Sequence, residues 1–151
     1  MKIIQYASEY KQDFIDLNTK WITELFGVVE EHDKETFENI ERDIENGAMI
    51  FFAVDGENVL ACCMVSPMES GTWEICKLAS NPKFNHKGCG SAVFGASVQW
   101  AIDKGAKRLF ILSSTKLKPA LHIYEKFGFH EIKLEDYGYA RGDIALEKIV
   151  K

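Results

Sequence analysis

Apolar positions follow two rhythms along this chain, and the alternation between them predicts its elements. Ile3 to Tyr6 has the length of a short strand. After Ser8, a natural N-cap, the residues Phe14, Leu17, Trp21 and Leu25 recur at helical spacing and predict an amphipathic helix that Gly27 interrupts. Asp33 is placed to cap a second helix with Phe37, Ile40 and Ile44 inside, ended by Asn46-Gly47. Two β-rich runs follow, Ala48 to Val54 and Val59 to Val65, with Asp55-Gly56-Glu57-Asn58 between them as hairpin punctuation. A turn at Pro67 to Gly71 leads to a third run, Thr72 to Ser80. These three predict an antiparallel meander.

Beyond Asn81-Pro82 the pattern changes. A loop reaches Gly88-Cys89-Gly90 and a helix over Ser91 to Lys104, closed by Gly105. Its apolar residues cover much of the circumference, which predicts burial. Arg108 to Leu112 is a strand. Pro119 begins a helix and Gly128 ends it, the usual asymmetry of helix termini. Phe129 to Leu134 and Asp143 to Val150 are the last two strands. The order β-α-α-β-β-β-α-β-α-β-β predicts an α/β domain of the α+β type, with a mixed, mostly antiparallel sheet flanked by helices. No linker, repeat or low-complexity segment interrupts residues 1–151, so one domain is expected.

Composition narrows the classes. Apolar residues are 46% and charged residues 27% of the chain, a globular balance with no sign of disorder. A net charge of -5 lacks the basic face that nucleic acid requires. The runs Met49 to Val54 and Val59 to Val65 are too short to span a bilayer, and the start Met1-Lys2-Ile3-Ile4-Gln5-Tyr6 lacks a secretory apolar stretch. Cys62 and Cys63 are adjacent on a strand and must point to opposite faces, and no Cys-x-x-Cys or His/Cys cluster suggests zinc. Reduced thiols in a cytoplasmic protein without a metal are the expectation.

The chemistry concentrates where the strand Trp73 to Ser80 gives way to Asn85-His86-Lys87-Gly88-Cys89-Gly90. The first N–H groups of a helix have no internal partners and lie at its positive dipole end. Glycines allow an anion close to that backbone, and Lys87 adds charge, so the loop reads as a phosphate cradle. A plain strand-to-helix turn would also use glycine. A dinucleotide fingerprint needs a third glycine where Val93 stands, and a Walker loop needs Gly-Lys-Ser/Thr, which is absent.

Lys77-Leu78-Ala79, Gly88-x-Gly90 and, further on, Tyr124-Glu125-Lys126-Phe127-Gly128-Phe129 together resemble the GNAT superfamily of N-acetyltransferases. The family loop is written Gln/Arg-x-x-Gly-x-Gly/Ala, and Asn85 replaces the Gln or Arg here. The resemblance runs from about Trp73 to Phe129. It implies acetyl-CoA as co-substrate and an amine of a small molecule or protein as acceptor. It further implies that Leu78, Ala79 and Ser80 offer backbone groups to the pantetheine arm. His86, Lys87, Gly88, Cys89, Gly90 and Ser91 would surround the pyrophosphate. Tyr124 matches the tyrosine that protonates the departing thiolate, and Glu74 the strand glutamate used as general base. Ser114 stands where many members carry Asn and would hydrogen-bond the cofactor. Members of such folds often dimerise through a terminal strand.

Other candidates read more simply. His122 is a surface residue beside Tyr124, and Cys89 is small rather than reactive. Glu30, Glu31 and Asp33 read as a solvated loop, with an amine-binding mouth as the competing assignment. A non-catalytic acyl-CoA-binding module on the same scaffold is the alternative to an enzyme. Asn85 and Ser114 favour that alternative and Tyr124 opposes it.

Overall fold

The structure, a computed structural model, describes residues 1–84, 87–137 and 141–151. Strand β1 (Lys2–Gln5) leads through a short 3-10 turn, Ser8–Tyr10, into helix α1 (Lys11–Phe26). Ser8 therefore lies inside the turn and caps nothing. The expected second helix is two helices, α2 (Glu31–Glu38) and α3 (Ile40–Glu45), broken at Asn39. Asp33 is not the cap either. Glu30 holds that place and its backbone N–H donates to Asp33, which is the third residue of the first turn.

The meander forms as expected from β2 (Met49–Asp55), β3 (Asn58–Pro67) and β4 (Thr72–Ser80), each pair antiparallel. Then come α4 (Cys89–Asp103), β5 (Arg108–Ser113), α5 (Lys118–Lys126), β6 (His130–Ile132) and β7 (Ile144–Ile149). The seven strands are ordered β1-β2-β3-β4-β5-β7-β6, and only β4 and β5 run parallel. The three-residue β6 is shorter than its apolar pattern suggested.

Helices cover both faces. Phe94 and Val93 of α4 pack with Ile75, Leu109 and Tyr124 on one side. Phe14 of α1 and Ile40 of α3 pack with Ile50, Phe52 and Met64 on the other. Cys62 and Cys63 go to opposite cores, as strand alternation requires. All four cysteines are free, and burial pushes the thiols of Cys62 and Cys63 up to about 12, so both stay protonated and unreactive.

Two irregularities of β4 open the cleft described next. Cys62 pairs with Ala79 and Met64 with Cys76, so Lys77 and Leu78 together oppose Cys63 alone. This is a bulge, and Lys77 takes a left-handed backbone at φ 55° that a side chain seldom adopts. The bulge reverses the strand's facing: Ile75 and Leu78 join the α4 core, whereas Ala79 joins the α1 core. Second, β4 pairs with β5 only from Thr72↔Arg108 to Glu74↔Phe110. Beyond Glu74 the two strands diverge.

Candidate active site

Where β4 leaves β5, a cleft of about 420 Å³ opens. One wall is β4 from Glu74 to Ser80, and the other is the end of β5 with the start of α5. Leu78, Ala79, Ser80, Glu74, Ser114 and Tyr124, picked out in the sequence, all line it. Past Glu74 the β5-facing edge of β4 has no strand partner among the described residues, so its backbone groups face the cleft.

The glycine loop meets the cleft from one side. Gly88 is the N-cap of α4 at φ 83°, a conformation in which any Cβ would be strained. The helical ladder begins with Ala92 N–H donating to Gly88 C=O at 2.9 Å, leaving the N–H groups of Cys89, Gly90 and Ser91 outside it. Gly90 has a different reason to be glycine. A Cβ there would lie 3.3 Å from Ile123 Cδ1 and 3.5 Å from Ser80 Oγ, both cleft residues, so close packing against the cleft wall demands it. Cys89 turns inward, its thiol 3.9 Å from the Leu60 carbonyl, and can contribute only backbone to a cradle. Lys87 is exposed, and Asn85 and His86 lie outside the described residues.

Glu74 is half-buried on the cleft wall, not a solvent-facing strand residue. Burial raises its carboxyl above the ordinary range, against a smaller lowering by the Lys77 ammonium. Tyr124 is the one buried residue of α5, its ring centroid 5.1 Å from that of Phe94 and tilted to it by 39°. It stands with Leu78 and Leu112 at the splayed strand ends. Ser114 Oγ accepts a hydrogen bond from Lys116 N–H at 3.2 Å and so serves the turn into α5. Its neighbour Ser113 is the more telling serine. The Ser113 hydroxyl is buried at the cleft and is the only buried side-chain polar atom without a hydrogen-bond partner among the described residues. Such an orphan in a cleft calls for a ligand. His122 is exposed and outside the cleft.

The far end of the cleft holds a group that the sequence did not reveal. Asp33 is fully buried and accepts from Lys77 Nζ at 2.5 Å. Arg141, between β6 and β7, grips both Asp33 oxygens at 2.6 Å and donates to Glu30 at 3.1 Å. Its guanidinium lies 5.6 Å from the Trp21 ring. Burial alone would raise the Asp33 carboxyl, but the Arg141 hydrogen bonds and the Lys77 charge outweigh it and hold the group well below the carboxylate range. The solvated loop expected at Glu30, Glu31 and Asp33 is thus corrected for Asp33. The competing amine-binding mouth fails for it too, since its charge is already spent on two cations. Beside it, burial and the Lys77 charge lower His32, which is neutral at physiological pH. No group of three or more His, Cys, Asp or Glu is placed to hold a metal, and no helix is long and apolar enough to cross a membrane, among the described residues.

Comparisons with known proteins agree with this geometry. No curated protein sequence matches the chain. An acetyltransferase of the GNAT family from Staphylococcus aureus superposes with a TM-score of 0.86 at 17% identity, covering 99% of both chains. The yncA protein of Salmonella typhimurium, solved with its cofactor acetyl-CoA, gives 0.82 at 11% identity over 100% of this chain and 94% of that one. The PaiA N-acetyltransferase of Thermoplasma acidophilum, solved with coenzyme A, gives 0.75 at 16% identity over 99% and 100%. These likenesses establish the fold. The family model for the acetyltransferase (GNAT) family matches residues 12–129, from α1 through Gly88 and Tyr124 to the end of the turn after α5, and the chain belongs to that family.

Proposed function

We propose that this protein transfers the acetyl group of acetyl-CoA to a primary amine of a small molecule or protein. The observation that carries the reading is the cleft at the β4–β5 divergence, which places a carboxyl of raised pKa and a buried tyrosine on its walls. The residues present suit the co-substrate. The open edge at Leu78, Ala79 and Ser80 offers main-chain partners to the pantetheine arm, and the orphan Ser113 hydroxyl offers one more. The free N–H groups at Cys89, Gly90 and Ser91, with Lys87, suit a pyrophosphate, and Asn85 and His86 adjoin them in sequence.

Acetyl-CoA supplies a thioester carbonyl open to attack by an amine. Glu74 removes the proton that an ammonium must lose first, directly or through a water. Tyr124 gives its hydroxyl proton to the departing sulfur. Steady-state release of free CoA over a panel of amines tests this function. Binding of CoA with no release from any amine would instead identify a binding module.

Because a base works only when deprotonated, kcat/KM should rise with pH through the raised Glu74 value, above the ~4.3 of an ordinary glutamate. Glu74→Gln should flatten that limb. An unchanged pH profile in the variant would transfer the base role to water.

CoA should raise the melting temperature of the protein, since a ligand at about a hundredfold its Kd adds roughly 2.7 kcal/mol to stability. In Gly90→Val the new side chain presses on Ile123 and Ser80, displacing the cleft wall at the cradle. The expected result is a folded protein whose melting point no longer responds to CoA. A response equal to the parent's would remove the loop from the binding site.

A further inference from the structure

Resting on the acetyltransferase reading, we infer that the acceptor is an amine borne on an uncharged, apolar group, which Trp21, Leu25, Cys76 and Leu112 receive on the α1 face of the sheet. The cleft passes through the sheet, and strand alternation assigns its lining to two sides. Ile75 and Leu78 of β4, with Ala120, Ile123 and Tyr124 of α5, belong to the core under α4. The first turn of α4 holds the free N–H groups of Cys89, Gly90 and Ser91, so that side suits the co-substrate. Glu74 lies between Trp73 and Ile75 along β4, both in that core, and so projects to the other face. Leu112 does the same on β5, following Ile111. Trp21 and Cys76 pack in the core under α1, and Leu25 follows Trp21 by one turn of that helix. The base and these four side chains therefore share the side where the amine arrives.

The charges on that side cancel. Lys77 Nζ donates to Asp33 at 2.5 Å, and Arg141 donates to both Asp33 oxygens at 2.6 Å and to Glu30 at 3.1 Å, so two cations meet two carboxylates. Burial, with the Lys77 charge, keeps His32 neutral, and burial keeps the Cys76 thiol protonated. Lys116 is exposed, its ammonium 5.0 Å from the Phe26 ring, and an ion pair in solvent adds little. Among the described lining residues, that leaves Glu74 as the anion that meets the one reacting ammonium. A second ammonium, or a carboxylate, would lose hydration and gain no partner of its own. Apolar surface fits instead. The Trp21 indole N–H donates to Asn18 Oδ1 at 2.9 Å, which leaves the ring as an apolar wall. Leu25 is 42% exposed, so apolar area remains to be covered at the end of α1.

The test uses the intact protein with acetyl-CoA and reads kcat/KM over a set of acceptors. Ethylamine, propylamine, butylamine and pentylamine vary apolar length alone. Cadaverine and δ-aminovalerate add an ammonium or a carboxylate to a chain of the same length as pentylamine. Along the series kcat/KM should rise about threefold to fourfold per methylene, the worth of one buried CH2. Pentylamine should exceed both charged analogues by roughly tenfold or more, since each brings an unpaired charge out of water. Leu25→Glu should turn the preference toward cadaverine, chiefly through acceptor KM, while CoA still raises the melting temperature. A flat series, or a charged analogue that matches pentylamine in the parent, overturns the acceptor assignment alone. So does an unchanged ratio of pentylamine to cadaverine in Leu25→Glu. Release of CoA with none of these amines overturns the transferase reading beneath it. The comparison in the parent protein decides the matter even where the variant fails to fold.

Discussion

Tyr124→Phe should lower kcat by about a hundredfold to ten-thousandfold, the usual worth of general acid–base assistance, and leave the KM for acetyl-CoA near the parent value. The substitution deletes one oxygen. The ring keeps its place against Phe94, 5.1 Å away, in the core formed by α4, α5 and the sheet. Stability should therefore change little, which a thermal melt checks. The hydroxyl alone is removed from the cleft wall, where Leu78 of β4 and Leu112 of β5 mark the splayed strands. A proton donor to the sulfur acts chiefly as the carbon–sulfur bond breaks, so its loss appears in kcat rather than in binding. If Tyr124→Phe turns over at the parent's rate while chemistry limits turnover, the residue is there for packing.

Asp33→Asn should destabilise the fold by about 3–5 kcal/mol, the typical effect of breaking a buried ion pair from one side. The variant keeps the shape of the side chain but leaves the buried cations Lys77 and Arg141 without their shared anion. For a domain of this size the melting temperature should fall by on the order of 10 °C. Adding Lys77→Met removes one stranded cation and should restore part of the loss.

The pH dependence follows from the same group. The folded pKa of Asp33 lies below the unfolded value, so its contribution is complete above the unfolded pKa of about 4 and is lost as pH falls through the folded one. The parent should therefore lose stability on acidification below about pH 4, and the variant should lose less over that range. A melt of Asp33→Asn at neutral pH that matched the parent would show that the buried cluster adds nothing to stability.

Local signals in the sequence were sufficient for most of the elements, though not for the break at Asn39 or the caps expected at Ser8 and Asp33. The continuous apolar runs Ala48 to Val54 and Val59 to Val65 around Asp55-Gly56-Glu57-Asn58 led directly to the β2–β3 hairpin, because the turn is set within a few residues. Pro119 and Gly128 bracketed α5, and the resemblance to the GNAT family singled out Tyr124 inside it, the tyrosine now seen on the cleft wall. Gly88 was legible for the same reason, since a positive φ at a helix start leaves few choices of residue.

What the sequence could not reveal is what depends on neighbours remote along the chain. Ser113 and Ser114 are alike as letters; the fold gives Ser114 the Lys116 N–H and leaves Ser113 unpartnered in the cleft. Asp33 reads as solvated because its partners are 44 and 108 residues away, and nothing local announces them. The bulge at Lys77 has no glycine to mark it. The sequence by itself determined most of the elements and the glycine at the start of α4, through periodicity and backbone preference, which act over a few residues. Tertiary structure alone decided that β5 runs beside β4 and then parts from it, and that a buried aspartate gathers two cations, Lys77 and Arg141. Strand pairing and charge burial are settled only when distant segments exclude water together.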